Sequence, residues 1–335
     1  MENNISGEIQ KIVKQWSGNK TDKIEALPKS GSNRQYFRIH QNKDTAIVAY
    51  NPDKRENRAF VSFTKHFRSK GLNVPELLFD SEDGCFYILE DLGNKNLYDL
   101  ISAREKNTFD DELKDYYRKA LLELIRFQID GHKGLDYKLC YPRHSFDAQS
   151  IQWDLNYFKY YYLKLAGISF DEQLLEDDYK RFINLLSQSD QDYFMYRDFQ
   201  SRNIMIKDNS LYFIDYQGGR KGPLQYDLAS LLYQAKANLP ETVRDELLDF
   251  YINNLERRQK IDRKQFTSQY YTYVLVRTMQ VLGAYGYRGF FERKSYFIES
   301  IPFAIKNLKN IFPRLGFLDK MPELKNTLIQ ITNSQ

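Results

Sequence analysis

Tyr196-Arg197-Asp198-Phe199-Gln200-Ser201-Arg202-Asn203, followed by Leu211-Tyr212-Phe213-Ile214-Asp215, spaces an acid, an amide and a second acid within one short segment of the chain. Residues 204–207 and 211–214 are short apolar runs on either side of Asp208-Asn209-Ser210, a turn-forming triplet, and predict a tight β-hairpin. With the turn centred on Asn209, Ile206 faces Tyr212, Ile204 faces Ile214 and Asn203 faces Asp215. Directly opposed residues have Cβ atoms about 4.5–5.5 Å apart, close enough for one divalent cation to touch both side chains. Asp198 then lies in the loop that leads into the hairpin.

An acid, an amide and a second acid in one local unit suit phosphoryl transfer. Asn203 and Asp215 offer oxygens to Mg²⁺, which fills its remaining positions with phosphate and water. Asp198 is placed to accept a proton from a hydroxyl beside the metal-bound phosphate. Asp and Asn are also ordinary turn residues, so the weight rests on the combination of the Arg-Asp pair, the spacing to Asn and the Asp that ends the second strand.

Near the amino terminus, Ile5, Ile9, Ile12, Val13 and Trp16 share a helical face, and Gly18 ends that helix. Strand-like runs follow at 24–27, 35–40, 45–50 and 85–90. A helix over 55–70, with Phe60, Phe63 and Phe67 at helical spacing, interrupts them. Beyond Asp91-Leu92-Gly93 the segments 109–130, 147–166, 171–187, 226–237, 241–257 and 262–283 all predict helices, with the hairpin as a strand-rich island. This is an α+β, bilobal pattern: a β-rich amino-terminal lobe over 1–92, a hinge at 89–93 and a helical carboxyl-terminal lobe over 93–335 that carries the catalytic loop and acceptor site.

The net charge of +4 comes from interleaved acids and bases, so neither a nucleic-acid stripe nor a polybasic membrane anchor is present, and neither nucleic acid nor membrane is an expected partner. The two cysteines, Cys85 and Cys140, form no framework or metal-spaced pair. The amino terminus lacks a basic segment followed by an apolar one, and no run reaches bilayer length, so a reducing cytoplasm is the simplest setting. Neither a Walker phosphate loop nor a dinucleotide glycine fingerprint occurs.

The stretch 196–203 together with Ile214-Asp215-Tyr216-Gln217 resembles the catalytic and metal motifs of the aminoglycoside phosphotransferase and choline kinase group, which has the protein kinase-like fold. Within that group, further segments resemble the bacterial anomeric sugar kinases that act on N-acetylmuramate and N-acetylglucosamine. They are Gly31 through Arg38 (GSNRQYFR), Gly71 through Pro75 (GLNVP), Ile88 through Gly93 (ILEDLG) and Gly222 through Leu232 (GPLQYDLASLL).

The resemblance implies an ATP- and Mg²⁺-dependent kinase acting on a small-molecule hydroxyl, with an amino sugar as the expected acceptor. It gives Asp198 as the base, Asn203 and Asp215 as metal ligands, the backbone of Glu90, Asp91 and Leu92 as the adenine-binding hinge, and Gly31, Ser32, Asn33 and Arg34 as the turn over the phosphates. Three departures stand out. The third strand, Thr45 to Tyr50, lacks the lysine that usually pairs with a helix glutamate, here Glu56, leaving Arg38, Lys54 or Arg55 as substitutes. Tyr196 stands where relatives have His, and Gln200 where they have His or Lys. An inactive nucleotide- or sugar-binding protein is therefore the second class of function, and an aminoglycoside kinase a variant of the first. The short stretch between Asp215 and the next helix argues against a protein kinase.

Outside the motif, Asp227 is expected to cap its helix and brace the catalytic loop. Arg220, in a flexible basic loop, is a candidate contact for an acidic acceptor. Arg277, Arg288, Tyr285 and Tyr287 fall where relatives build acceptor sites, and the aromatic run 157–162 is expected as helix core or sugar-pocket wall.

Overall fold

Ile9 and Val13 lie one helical turn apart and are fully buried, which fixes the inner face of helix α1 (Glu2–Ser17). Gly18, at φ 75°, ends the helix in the left-handed conformation that glycine adopts without strain. The structure, a computed structural model, describes residues 2–28, 34–105 and 108–333.

After α1 come β1 (Lys23–Ala26), β2 (Gln35–Gln41), β3 (Asp44–Tyr50), helix α2 (Lys54–Ser69), β4 (Leu77–Asp80) and β5 (Phe86–Glu90). The strands form one antiparallel sheet in the order β1-β2-β3-β5-β4. Period-2 alternation divides its side chains between two cores. Val48, Phe86 and Ile88 meet Ile9 and Val13 of α1, whereas Ala49, Tyr87 and Leu89 join the larger core with Phe60, Phe63 and Phe67 of α2. β4 was not among the strands expected from sequence, because its short run behind Pro75 carries no alternation of its own.

The rest of the chain is mainly helical. α3 (Leu97–Ala103), α4 (Asp111–Ile129), α5 (Ala148–Phe158) and α6 (Glu172–Leu186) lead to strand β6 (Tyr193–Met195), hairpin β7 (Ile204–Lys207) and β8 (Ser210–Phe213), and strand β9 (Arg220–Gly222). Then follow α7 (Leu224–Leu232), α8 (Glu241–Glu256), α9 (Arg263–Tyr285), α10 (Ser295–Ile298), α11 (Ile301–Ile311) and α12 (Pro322–Asn333). The expected helices are present with shifted ends: the segment 147–166 is α5 continued by a π-turn at Lys159–Leu163, and 226–237 is α7 followed by a 3-10 turn at Ala235–Ala237. No helix among the described residues is long and apolar enough to cross a membrane.

The hairpin corrects the expected register. Its turn holds two residues, Asp208 (φ 49°) and Asn209 (φ 59°), both left-handed as a type I′ turn requires. Ile204 therefore pairs with Phe213, Met205 with Tyr212 and Ile206 with Leu211. The expected pairs Ile204–Ile214, Ile206–Tyr212 and Asn203–Asp215 are each displaced by one residue.

Candidate active site

Strand β6 delivers the chain to Tyr196 and Arg197, and the loop they begin is held from both sides. Asp227, buried in the first turn of α7, accepts the Tyr196 backbone N–H at 2.6 Å and the Arg197 N–H at 2.9 Å. These bonds fix Arg197 at φ 80°. Burial pushes the Asp227 carboxyl up to about 7, against the two N–H bonds that favour its charged form. Asp227 thus braces the loop as expected, but it is not the helix cap, a position that Pro223 occupies. At the other end, Gln234 Oε1 accepts the Ser201 N–H at 2.9 Å and the Ser201 hydroxyl at 2.7 Å. The Arg197 side chain forms a bidentate pair with Asp154 at 2.9 and 2.6 Å.

Tyr196 donates its hydroxyl to the Ile214 carbonyl at 2.6 Å, tying the loop to the segment that bears Asp215. An aromatic hydrogen-bond donor thereby braces the loop from the position where the resemblance has a histidine. Tyr216 extends the brace upward, with its ring stacked 4.9 Å from Phe60 of α2 and its hydroxyl 2.5 Å from Thr64 Oγ1.

The three motif residues converge. Asn203 Nδ2 donates to the Asp198 backbone carbonyl at 2.9 Å and to Asp215 Oδ2 at 3.3 Å, which leaves its amide oxygen for a cation. Asp215 lies beyond the end of β8 at φ 71°, so the chain has left the extended conformation and its side chain turns back toward Asn203. This is how the pair meets although the register differs from the expected one. Burial and the neighbouring Asp198 charge together raise the Asp215 pKa. The Asp215 carboxylate and the Asn203 amide oxygen are neighbouring hard oxygen donors, a set that fits Mg²⁺.

Asp198 is 41% exposed. Arg277 of α9 donates to its Oδ1 at 3.1 Å. Burial pushes its pKa up, but Arg277, Arg197 and Arg202 outweigh that and hold it below the usual carboxylate value.

Two concavities meet at this loop. One is an apolar slot between the sheet and the hairpin, lined by Leu27, Ile47, Leu89, Leu92, Met205 and Ile214 and reaching Asp215. Its walls suit a flat heteroaromatic ring. Of the expected hinge residues, Glu90 and Asp91 are bound within the protein: the Glu90 N–H donates to the Glu76 carbonyl at 2.9 Å, and Lys207 Nζ donates to Glu90 Oε1 at 2.7 Å and the Asp91 carbonyl at 3.2 Å. Leu92 lines the slot, and its backbone groups bond no other described residue.

The other concavity opens on the far side of Asp198. Tyr98, Gln200, Arg202, Gln234, Lys236, Arg277, Tyr285 and Tyr296 line it, and Asp198 is its one acid among the described residues. Lys236 Nζ sits 3.5 Å above the Tyr296 ring and 3.6 Å from Glu299.

Other sequence expectations fare differently. Gly31, Ser32 and Asn33 lie outside the described residues. Arg34 lies away from the surface, its Nη2 3.0 Å from Glu56 Oε1. None of Arg38, Lys54 or Arg55 partners Glu56. Arg38 binds Asp91 at 2.6 and 3.0 Å, Arg55 stacks on Tyr141, and Lys54 is exposed. Arg220 is not in a flexible loop; it is buried in β9, donates to the Gly218 carbonyl, and is pushed by burial to about 10. Arg277 and Tyr285 line the second pocket, whereas Arg288 pairs with Glu292 and Tyr287 packs on Tyr161. That Arg277 would reach Asp198 carried no sequence signal, because the two are distant in the chain. Tyr157 and Tyr161 pack at the end of α9 and line neither pocket.

This fold has clear counterparts. The structure aligns with a choline kinase from Cryptosporidium parvum Iowa II at a TM-score of 0.61 and 13% identity, covering 98% of this chain and 100% of that one. For a choline kinase from Streptococcus pneumoniae the values are 0.55 and 14%, covering 90% and 99%. For an aminoglycoside 2′-phosphotransferase in its GDP complex they are 0.58 and 13%, covering 92% and 98%. The shared architecture is the bilobal, protein kinase-like fold. The model of the phosphotransferase enzyme family matches residues 23–261, and the chain belongs to that family. Among curated relatives, N-acetylmuramate/N-acetylglucosamine kinase of Pseudomonas aeruginosa is 28% identical over 224 residues, 65% of this chain and 62% of that one. Its counterpart in Neisseria meningitidis is 27% identical over 208 residues, 60% and 58% of the two chains. The matches thus span less than two thirds of the length of these relatives.

Proposed function

We propose that this protein is an ATP-dependent kinase that phosphorylates a hydroxyl of a small amino sugar such as N-acetylmuramate or N-acetylglucosamine. One observation carries the reading: Asp198 faces the polar pocket, Asp215 ends the apolar slot, and Asn203 links the two. A nucleotide in the slot and a sugar in the pocket would meet over one catalytic loop. Residues 1–92 then act as the nucleotide lobe, 93–335 as the acceptor lobe, and 89–93 as the hinge, with Leu92 meeting the adenine.

Asp198 orients the acceptor hydroxyl and takes its proton as the new O–P bond forms and ADP departs. Its low pKa keeps it ionised at neutral pH, ready to accept that proton. Asn203 and Asp215 would hold Mg²⁺, which neutralises phosphate charge when bound, so catalysis is mainly positioning and electrostatics. The pocket's charge supports the acceptor class. Arg202, Lys236 and Arg277 face one acid, a lining that disfavours a polycationic aminoglycoside and suits a neutral or singly acidic sugar. A cytoplasmic setting is part of the same proposal.

The test is ADP release with ATP and Mg²⁺ across N-acetylmuramate, N-acetylglucosamine, neutral hexoses and aminoglycosides, with product NMR to identify the phosphorylated hydroxyl. Turnover confined to the acetylated amino sugars is expected. Turnover with aminoglycosides alone would overturn the acceptor assignment, and ATP binding without turnover on any sugar would favour an inactive sensor.

A further inference from the structure

Kinases usually hold the nucleotide's α- and β-phosphates with a third-strand lysine paired to a helix glutamate. Here the strand face that would bear it can be identified. Ile47 lines the nucleotide slot, and side chains alternate along a strand, so Ala49 is the next β3 side chain on that face. Ala49 is fully buried and offers only a methyl group.

The neighbouring strand fills the gap. Tyr36 pairs with Ala49 and lines the same slot. Arg34 comes two residues earlier, just ahead of β2, and its contact with the Tyr36 hydroxyl places it beside that face, farther from the segment where Ala46 pairs with Glu90. Its guanidinium lies 3.0 Å from Glu56 Oε1 and 5.6 Å from the Phe60 ring centroid, and it donates to the Tyr36 hydroxyl at 3.3 Å. Asn51 Nδ2 donates to the other Glu56 oxygen at 2.7 Å. Glu56 is thus held from both sides, and it in turn fixes the Arg34 cation. A fork-shaped guanidinium can keep a carboxylate on one nitrogen and offer others to phosphate oxygens.

We propose that Arg34, reaching in from just before β2, is the cation that holds the nucleotide's α- and β-phosphates in place of the absent lysine, with Glu56 and Asn51 positioning it and Ala49 clearing its path. This rests on the reading of the cleft as an ATP site. Titration calorimetry of ATP, ADP and adenosine with Mg²⁺ tests it. Arg34→Gln should weaken ATP and ADP by about tenfold to a hundredfold, the loss of one charge-assisted contact, while adenosine affinity stays within about twofold. Adding Ala49→Lys to Arg34→Gln should recover part of the ATP affinity by returning a cation to the usual strand. Glu56→Gln, in a side chain 24% exposed, should reproduce the nucleotide-selective loss in smaller measure, and it decides the matter should Arg34→Gln not fold. Unchanged ATP affinity in these variants, or an equal loss for adenosine, overturns the proposal. Failure of the unaltered protein to bind ATP or ADP would instead overturn the kinase reading, and this proposal with it.

Discussion

Replacing Asp198 by Asn removes the proposed base while leaving the proposed metal ligands, Asn203 and Asp215, in place. Asn203 donates to the backbone carbonyl of Asp198 rather than to its carboxylate, so the substitution keeps the contact that aims Asn203 at Asp215. Nucleotide affinity should therefore stay within about twofold of wild type. Turnover should fall by about 10²–10⁴, the usual contribution of a positioned general base, equivalent to about 2.7–5.5 kcal/mol in the barrier. The fold should register little. Arg277 loses a charged acceptor at 3.1 Å, normally a loss of about 1.5–3 kcal/mol, but Asp198 is 41% exposed and water takes its place, so about 1 kcal/mol is expected. In a chain of this size that lowers the melting temperature by only about 2 °C. Single-turnover kinetics, ATP calorimetry and a thermal melt read the three quantities separately. Turnover within about tenfold of wild type would refute the base assignment. A collapse of ATP affinity would instead make the Asp198 carboxylate part of the metal site.

Three more outcomes follow from neighbouring contacts. Arg277→Gln removes the strongest of the charges that lower the Asp198 pKa, so the acid limb of the kcat/KM profile should move to higher pH; a limb that stays put would sever the link between Arg277 and the base. Asp227→Ala strands the Tyr196 and Arg197 N–H groups, bonded at 2.6 and 2.9 Å in wild type, and should cost about 2–4 kcal/mol in denaturant unfolding after relief of its buried charge offsets part of the loss. An unfolding midpoint equal to wild type would contradict that brace. Gly286→Ala would put its Cβ 1.9 Å from the Tyr161 carbonyl oxygen, forcing the residue that caps α9 away from the π-turn that continues α5; a loss of about 3 kcal/mol or more is expected, and an unchanged melting temperature would refute the close approach.

Much of this architecture is written in local pattern. The alternation of Val48, Phe86 and Ile88 against Ala49, Tyr87 and Leu89 marks the two faces of the sheet, and Phe60, Phe63 and Phe67 mark the helix laid across it. The catalytic segment is legible for the same reason, since Asp198, Asn203 and Asp215 sit on one hairpin and its entry loop. The polar pocket beside Asp198 was not legible to the same degree. Tyr98, Lys236, Arg277 and Tyr296 come from α3, the 3-10 turn after α7, α9 and α10, and no local spacing reports which residues of separate helices meet. Arg220 erred in the opposite direction: glycines around a basic pair suggested a mobile loop, but pairing with β6 drew the segment into a strand and buried its arginine.

The register differs from expectation at the turn, where two left-handed residues, Asp208 and Asn209, stand in place of a turn centred on Asn209. Asn203 and Asp215 meet all the same: counting along the hairpin assumes a chain extended throughout, and the φ of 71° at Asp215 turns its side chain back toward Asn203. A strained backbone of this kind is held by its surroundings, here the Tyr196 hydroxyl on the Ile214 carbonyl and the Gln217 amide on Asp215 Oδ1. Looking for a lysine on β3 likewise assumes that a position in space belongs to one strand. The pairing of Tyr36 with Ala49 shows that β2 and β3 present one continuous face, on which Glu56 can draw its cation from either strand. A missing lysine therefore does not by itself mark an inactive kinase. The cleft lacks its usual charge only if the adjoining strand lacks it too, and here that strand is led by Arg34, 3.0 Å from the glutamate.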